Sequence, residues 1–257
     1  MRFEPHILGR TGLRVGPLGV AASYGVPASA VERAFHHGVN YLYWGSMRRS
    51  GFGEAIRNLS SQRDRMVLVL QSYSRLATLL GWSVERALRS LRLEYTDVLL
   101  LGMWNGRIPE RILDGARALR QRKLARFLAV STHNRRFAAE LAGGSDIDVV
   151  HFRYNAAHPG AEVDIFPKLP AVGRAGMVSF TATSWGQLVN PAKIPAGERV
   201  PTASECYRFV LTRPEIDVCL SGPANATQMD EALKALERGP MSDGDLAWMR
   251  RVGNGGR

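Results

Sequence analysis

The feature that most constrains this chain is an alternation repeated eight times: a short, almost wholly apolar run, then a longer amphipathic segment. The runs are Val15 to Ala22, Asn40 to Gly45, Met66 to Ser72, Asp97 to Gly102, Phe127 to Thr132, Val149 to Asn155, Met177 to Thr183 and Asp217 to Gly222. Runs such as Val67-Leu68-Val69-Leu70 and Val98-Leu99-Leu100-Leu101 are apolar at every position. A strand with one wet face would alternate, so these read as strands of a parallel sheet covered on both sides. Eight β-α units in 257 residues, with no Pro/Gly/Ser-rich or acidic divider, predict an α/β fold of one (β/α)8 TIM barrel domain spanning residues 1–257.

The intervening segments carry helical spacing. In Ser83-Val84-Glu85-Arg86-Ala87-Leu88-Arg89-Ser90-Leu91 a capping serine precedes apolar residues three and four apart, and further helices are predicted to begin at Ser29, Pro109, Asn134, Ala203 and Ala226. An extra C-terminal helix is expected after Ser242, whose hydroxyl suits the cap while Asp243 and Asp245 complement the dipole. Residues Gly253 to Arg257 read as a frayed end. Ahead of the first barrel strand, Ile7 to Val15 has turn chemistry at Thr11-Gly12 and reads as a β-hairpin plugging the N-terminal mouth of the barrel.

A formal charge of +11 raises the possibility of nucleic-acid binding, but 30 of the 34 basic residues are arginines and most stand singly on predicted helix faces. No aromatic platform is interleaved with them, so a solvated arginine-rich surface is the expectation and nucleic acid is not an expected partner. Cys206 and Cys219 lack metal-type spacing and read as buried thiols. His133, His151 and His158 are joined by no carboxylate at ligand spacing, so no metal is expected. No apolar run approaches the roughly 18 residues of a membrane span, and the N-terminus has no apolar leader. A cytoplasmic monomer or homodimer acting on a small molecule is expected.

Leu8-Gly9-Arg10-Thr11-Gly12-Leu13-Arg14-Val15, followed by Leu18-Gly19, resembles the opening signature of the aldo-keto reductases. Gly38-Val39-Asn40-Tyr41 is similar to that family's entry to strand two, Ser90 to Asp97 to its approach to strand four, Val130-Ser131 to its fifth strand, and Gly222 to Leu233 to its last β-α turn. The resemblance implies hydride transfer from NADPH to a carbonyl, with a tyrosine as proton donor tuned by Lys, Asp and His. A neighbouring cation is what lets a phenol, with an ordinary pKa of about 10, serve as an acid near neutrality.

At all four of these positions the chain departs from the pattern. The Asp position holds Tyr43, the Tyr position Arg48, the Lys position Gln71 and the His position Gly102. Arginine does not give up a proton at working pH and glutamine supplies no charge, so the family's ordinary proton transfer is not available. Tyr43, with Arg48 beside it to lower its pKa, and His133 are the replacement candidates for proton transfer.

The cofactor stretches are less altered. The resemblance assigns nicotinamide stacking to Phe180, neighbouring contacts to Thr181 and Ser131, the carboxamide to His151 where the family has glutamine, and the adenosine-phosphate end to Gly222, Asn225, Gln228 and Glu231. A helix starting at Ala226 suits a phosphate. NADP(H) is therefore the expected cofactor. Tyr43, Trp44, Arg48, Gln71, Tyr73, Trp104, Asn105, His133, Arg153 and Asn155 are placed at the C-terminal strand ends, where barrel enzymes keep their sites, and suit a planar or anionic ligand. The short, proline-bearing stretch from Leu188 to Ser204 implies an open cleft. Three readings follow: an atypical NADP(H)-linked oxidoreductase, a silent pseudoenzyme that binds a nucleotide or a partner, or a lyase or isomerase using a pair such as Tyr43 and His133.

Overall fold

A computed structural model describes residues 3–45 and 47–255. The chain opens with a hairpin of β1 (His6–Ile7) and β2 (Arg14–Val15), then enters the barrel through β3 (Leu18–Ala21), α1 (Ala28–His36), β4 (Tyr41–Trp44) and α2 (Ser50–Asn58). It continues through β5 (Val67–Ser72), α3 (Ala77–Leu91), β6 (Thr96–Leu101), α4 (Glu110–Gln121), β7 (Ala125–Thr132) and α5 (Arg135–Gly143). The last turns of the barrel are β8 (Val149–Arg153), α6 (Ala161–Asp164), β9 (Gly176–Phe180), α7 (Ala203–Leu211), β10 (Val218–Ser221) and α8 (Ala226–Arg238), with α9 (Asp243–Gly255) added at the end. Strands β3 to β10 close into one parallel barrel in which β10 pairs with both β3 and β9. This is the expected (β/α)8 architecture, with all eight expected strands in place.

Alternation along the strands separates two cores. Tyr41, Val69, Val98, Leu100, Ala129, Val149, Val178 and Val218 point inward, and Leu8, Leu13 and Val15 of the hairpin join them, closing the N-terminal mouth as expected. The opposite faces of the same strands pack against the helices. Buried carboxylates clamp the bottom of the barrel at alternate strands. Asp97, Asp148 and Asp217 each accept a backbone N–H from the preceding strand: Leu68 at 2.9 Å, Leu128 at 2.9 Å and Met177 at 2.6 Å. Their remaining valence is met by arginines, Arg63 and Arg126 on Asp97 and Arg174 on Asp217. Part of the arginine excess is therefore structural.

Four local expectations change. Ser83 lies inside α3 and does not cap it. The stripe Leu80, Val84, Leu88 and Leu91 carries the helix back to Ala77, and the Ser83 hydroxyl donates to Leu80 O at 2.8 Å. Helix α2 was not expected, because its two glycines mask it. They are required by close approach: a Cβ on Gly53 would lie 2.8 Å from the Trp44 ring, and one on Gly51 would lie 2.9 Å from Val26 O. Gly253 is no frayed end but sits buried in α9, where a Cβ would meet Ala156 O at 2.2 Å. Gly256 and Arg257 lie outside the described residues. Val15 belongs to the hairpin and not to the barrel strand.

Candidate functional site

At the C-terminal mouth inward-facing residues from all eight barrel strands open into a cavity of about 710 Å³. That is the usual volume for a small-molecule site. Seven of the eight residues assigned to a cofactor by resemblance line it: Ser131, His151, Phe180, Thr181, Gly222, Gln228 and Glu231. They come from four strand ends and one helix, so only closure of the barrel brings them together. The eighth, Asn225, caps α8 by accepting from Gln228 N at 2.9 Å.

Of the four positions at which the sequence reading set this chain apart from the family pattern, Tyr43 and Gln71 face the cavity and hydrogen-bond each other, the phenol O–H donating to the amide oxygen. Gly102 leaves space that Tyr73 fills, since a Cβ there would lie 2.5 Å from the Tyr73 ring. Arg48 does not meet the expectation. It is exposed, sits on the loop near Gly25 and is not part of the cavity lining. The pairing expected to acidify Tyr43 is therefore absent. Burial, together with the phenols of Tyr73 and Tyr24, pushes the Tyr43 hydroxyl well above its ordinary range, the opposite of the expected direction.

The two histidines of the cavity are held neutral. Burial lowers the His151 ring to about 3, and its Nε2 shares a 2.7 Å hydrogen bond with the Tyr41 hydroxyl. His133 is lowered by partial burial and by Arg153, and its ring meets Phe180 edge-on at 5.4 Å. Ser131 Oγ accepts from Met103 N at 2.9 Å, tying β7 to the β6 loop. Asn105 braces the same loop, its Oδ1 accepting from Thr132 Oγ1 at 3.1 Å and His133 N at 2.8 Å. Arg75 stacks on Trp104 at 3.9 Å while donating to Gly102 O and Met103 O. Asn155 is fully buried, its Nδ2 donating to Thr181 O at 2.7 Å, and Trp44 is buried against α2 outside the barrel rather than at the mouth.

The mouth also holds backbone strain. Met103, Thr181 and Trp185 line the cavity with φ of 48°, 60° and 58°. A β-branched residue such as Thr181 rarely adopts that region, and such strain collects at ligand sites. Sequence reading missed Tyr24, Met103, Trp185 and Tyr207, which also line the cavity. The signal available for Tyr24 was Gly222 itself: a Cβ there would lie 2.4 Å from the Tyr24 ring.

Charge is scarce in this cavity. Among the described residues no lysine or arginine lines it, and its one carboxylate, Glu231, is occupied by Lys234 at 2.8 Å and Ser204 N at 3.4 Å. Those bonds, together with Thr202, outweigh burial and hold the carboxyl below its usual range. In the last turn Pro223 lacks an N–H, and Ala224 N donates to Gln228 Oε1 at 2.8 Å. Among the described residues no helix is long and apolar enough to cross a membrane.

No family model and no curated protein matches this sequence. Solved structures do match. The holo form of an aldo-keto reductase from Bacillus halodurans is 17% identical over 97% of this chain and 96% of its own, with a TM-score of 0.77. An aldo-keto reductase from Klebsiella pneumoniae in complex with NADPH is 20% identical over 99% of this chain and 96% of its own, with a TM-score of 0.78. A Klebsiella pneumoniae aldo/keto reductase in complex with NADP and acetate is 19% identical over 96% of this chain and 95% of its own, with a TM-score of 0.77. This end-to-end likeness identifies the fold of the chain as that of the aldo-keto reductases.

Proposed function

We propose that this chain is a divergent aldo-keto reductase, an NADP(H)-linked oxidoreductase that works without the family's tetrad. The observation that carries this reading is the convergence of Ser131, His151, Phe180, Thr181, Gly222, Gln228 and Glu231 on one cavity at the C-terminal strand ends. The nicotinamide end fits: Phe180 offers a ring, Ser131 keeps a free O–H to donate, and neutral His151 offers its second ring nitrogen. The phosphate end offers the first turn of α8 and nearby hydroxyls; among the described residues no lysine or arginine lines it, and Lys234 reaches it only through its ion pair with Glu231. When bound, the cofactor supplies hydride.

Tyr43 is the proton donor in this reading. It is the phenol held at the floor of the cavity by Gln71, and an alkoxide is basic enough to take a proton even from a phenol of raised pKa. Neutral His133, which also lines the cavity, is the relay to solvent in this reading. The lack of a cation beside Tyr43 favours a second reading, a barrel that binds its ligand without turnover.

One experiment separates them. Titration with NADPH, followed by cofactor fluorescence, is expected to show binding, and a carbonyl panel is expected to show NADPH oxidation that Tyr43→Phe lowers at least tenfold. Binding without oxidation supports the second reading. No binding at about millimolar cofactor refutes the first.

A further inference from the structure

We propose that the C-terminal face of the barrel is a docking surface for an anionic lipid membrane, with apolar side chains of the loops entering the lipid and the arginines between them meeting the headgroups. The first observation is where the exposed apolar side chains stand. Of the ten large ones exposed among the described residues, seven are at this end of the barrel. Tyr24, Met47, Tyr73, Leu76 and Trp185 lie on the segments that follow β3, β4, β5 and β9, and Leu79 and Trp82 lie in the first two turns of α3. All but Tyr24 are 51–69% exposed. Leu79, Trp82 and Arg86 share one face of α3, turned away from the stripe of Leu80, Val84 and Leu88 that packs on the barrel. Exposed apolar side chains gathered at one end of a molecule mark an interaction site.

The second observation is charge. The eight segments that lead from a barrel strand into the next helix carry six cations, Arg48, Arg49, Arg75, Arg107, Lys193 and Arg199, and one carboxylate, Glu198, which Arg251 holds at 2.7 Å. The seven segments that lead back from a helix to a strand, at the opposite end, carry eight cations and six carboxylates. Arg199 is paired with Glu205, while the other five cations and Arg86 form no ion pair among the described residues. The Arg86 guanidinium lies 5.1 Å from the centre of the Trp82 ring. Partial burial and then the charge of Arg86 lower the Arg49 guanidinium, as expected of two cations with no carboxylate between them. Indole, phenol and aliphatic side chains interleaved with free arginines are what an interfacial surface needs, and such docking requires no spanning helix. The apolar side chains stand on separate loops around the rim of the mouth, which a lipid plane meets all at once. A second copy of the chain would bring the same cations and be repelled.

The test uses the intact protein with vesicles of phosphatidylcholine alone or with about 30% phosphatidylserine, and reads binding by co-sedimentation and by the blue shift of tryptophan emission. The anionic vesicles are expected to bind at least about tenfold more tightly than the neutral ones. Arg48→Glu with Arg86→Glu is expected to weaken that binding at least about tenfold, and Leu79→Ser with Trp82→Ser to weaken it about tenfold. Arg14→Glu with Arg92→Glu makes the same change of charge at the opposite end of the barrel and is expected to stay within about threefold of the wild type. Three results would each overturn the proposal. One is no preference of the wild type for anionic vesicles. A second is an equal loss in the two charge variants, which would leave only the net charge of +11 at work. The third is unchanged vesicle binding by Leu79→Ser with Trp82→Ser together with equally tight binding of poly-glutamate, which would make the face a site for an acidic protein. The vesicle comparison is made on the wild type, so it decides even where a variant fails to fold. No cofactor or carbonyl enters the readout, so the oxidoreductase proposal can fail without touching this one.

Discussion

Replacing Asp217 by asparagine tests whether the carboxylate ring at the bottom of the barrel holds it together. Asp217 is 4% exposed and accepts three short hydrogen bonds, from Arg174 at 2.6 and 2.9 Å and from Met177 N at 2.6 Å. Asparagine keeps the shape but turns one acceptor into a donor facing a donor, and leaves the Arg174 guanidinium uncompensated. Breaking a buried pair from one side costs about 3–5 kcal/mol, and the side-chain exposure of Arg174, 20%, points to the lower end, about 3. With an unfolding entropy of about 2.1 cal/mol/K per residue, a chain of 257 residues has about 0.5 kcal/mol/K, so Tm should fall by about 6 °C. The internal control is Asp230→Asn, which breaks the Arg33 pair at 2.7 Å between side chains 40% and 56% exposed. That pair is worth under about 1 kcal/mol, or less than about 2 °C. Scanning calorimetry at neutral pH reads both. The reasoning fails if Asp217→Asn melts within about 2 °C of the wild type, or no lower than Asp230→Asn.

Three further outcomes are expected. Burial lowers His151 from 6.5 to about 3 in the folded chain, so as pH falls the unfolded chain binds the proton first. The stabilising effect of a neutral His151 is complete above about 6.5 and lost progressively toward 3, and Tm plotted against pH should be flatter in this window for His151→Gln. Because Tyr43 is raised and not lowered, it stays protonated through alkaline pH, and kcat/KM for carbonyl reduction should be flat from about pH 7 to about pH 10. A falling limb centred in that range would show that the acid is another group. With no lysine or arginine lining the cavity among the described residues, and Lys234 engaged by Glu231, NADH and NADPH should bind within about threefold of each other and with little salt dependence. A tenfold preference for NADPH would reveal a phosphate-binding cation that closes on the ligand.

The hydrophobic pattern carried the barrel. Strands such as β5 and β6 are apolar throughout because both faces are covered, and that is a local property of the sequence. Asn134, Thr202 and Asn225 start α5, α7 and α8 by capping chemistry that acts within three residues, so those starts too were readable. Helix α2 was not readable, because Gly51 and Gly53 weaken its propensity in order to let it approach Trp44 and the residues ahead of α1. The residues that the resemblance assigned to a cofactor could be named one by one from the sequence, but the meeting of seven of them in one cavity required the ring of strands to close.

What the sequence by itself determined is therefore the architecture, since that is a statement about residue identity and spacing. What only the tertiary structure decided is the electrostatic character of the mouth. Sequence spacing set Arg48 five residues from Tyr43 and suggested a cation at the site, yet the loop carries that side chain out to solvent. Tyr24 and Tyr73, at other places in the chain, take the ground over Gly222 and Gly102. A pKa depends on burial and on distances within a few ångströms, set by contacts between residues remote in sequence, and for this reason the direction of the shift at Tyr43 followed from the fold and not from its neighbours along the chain.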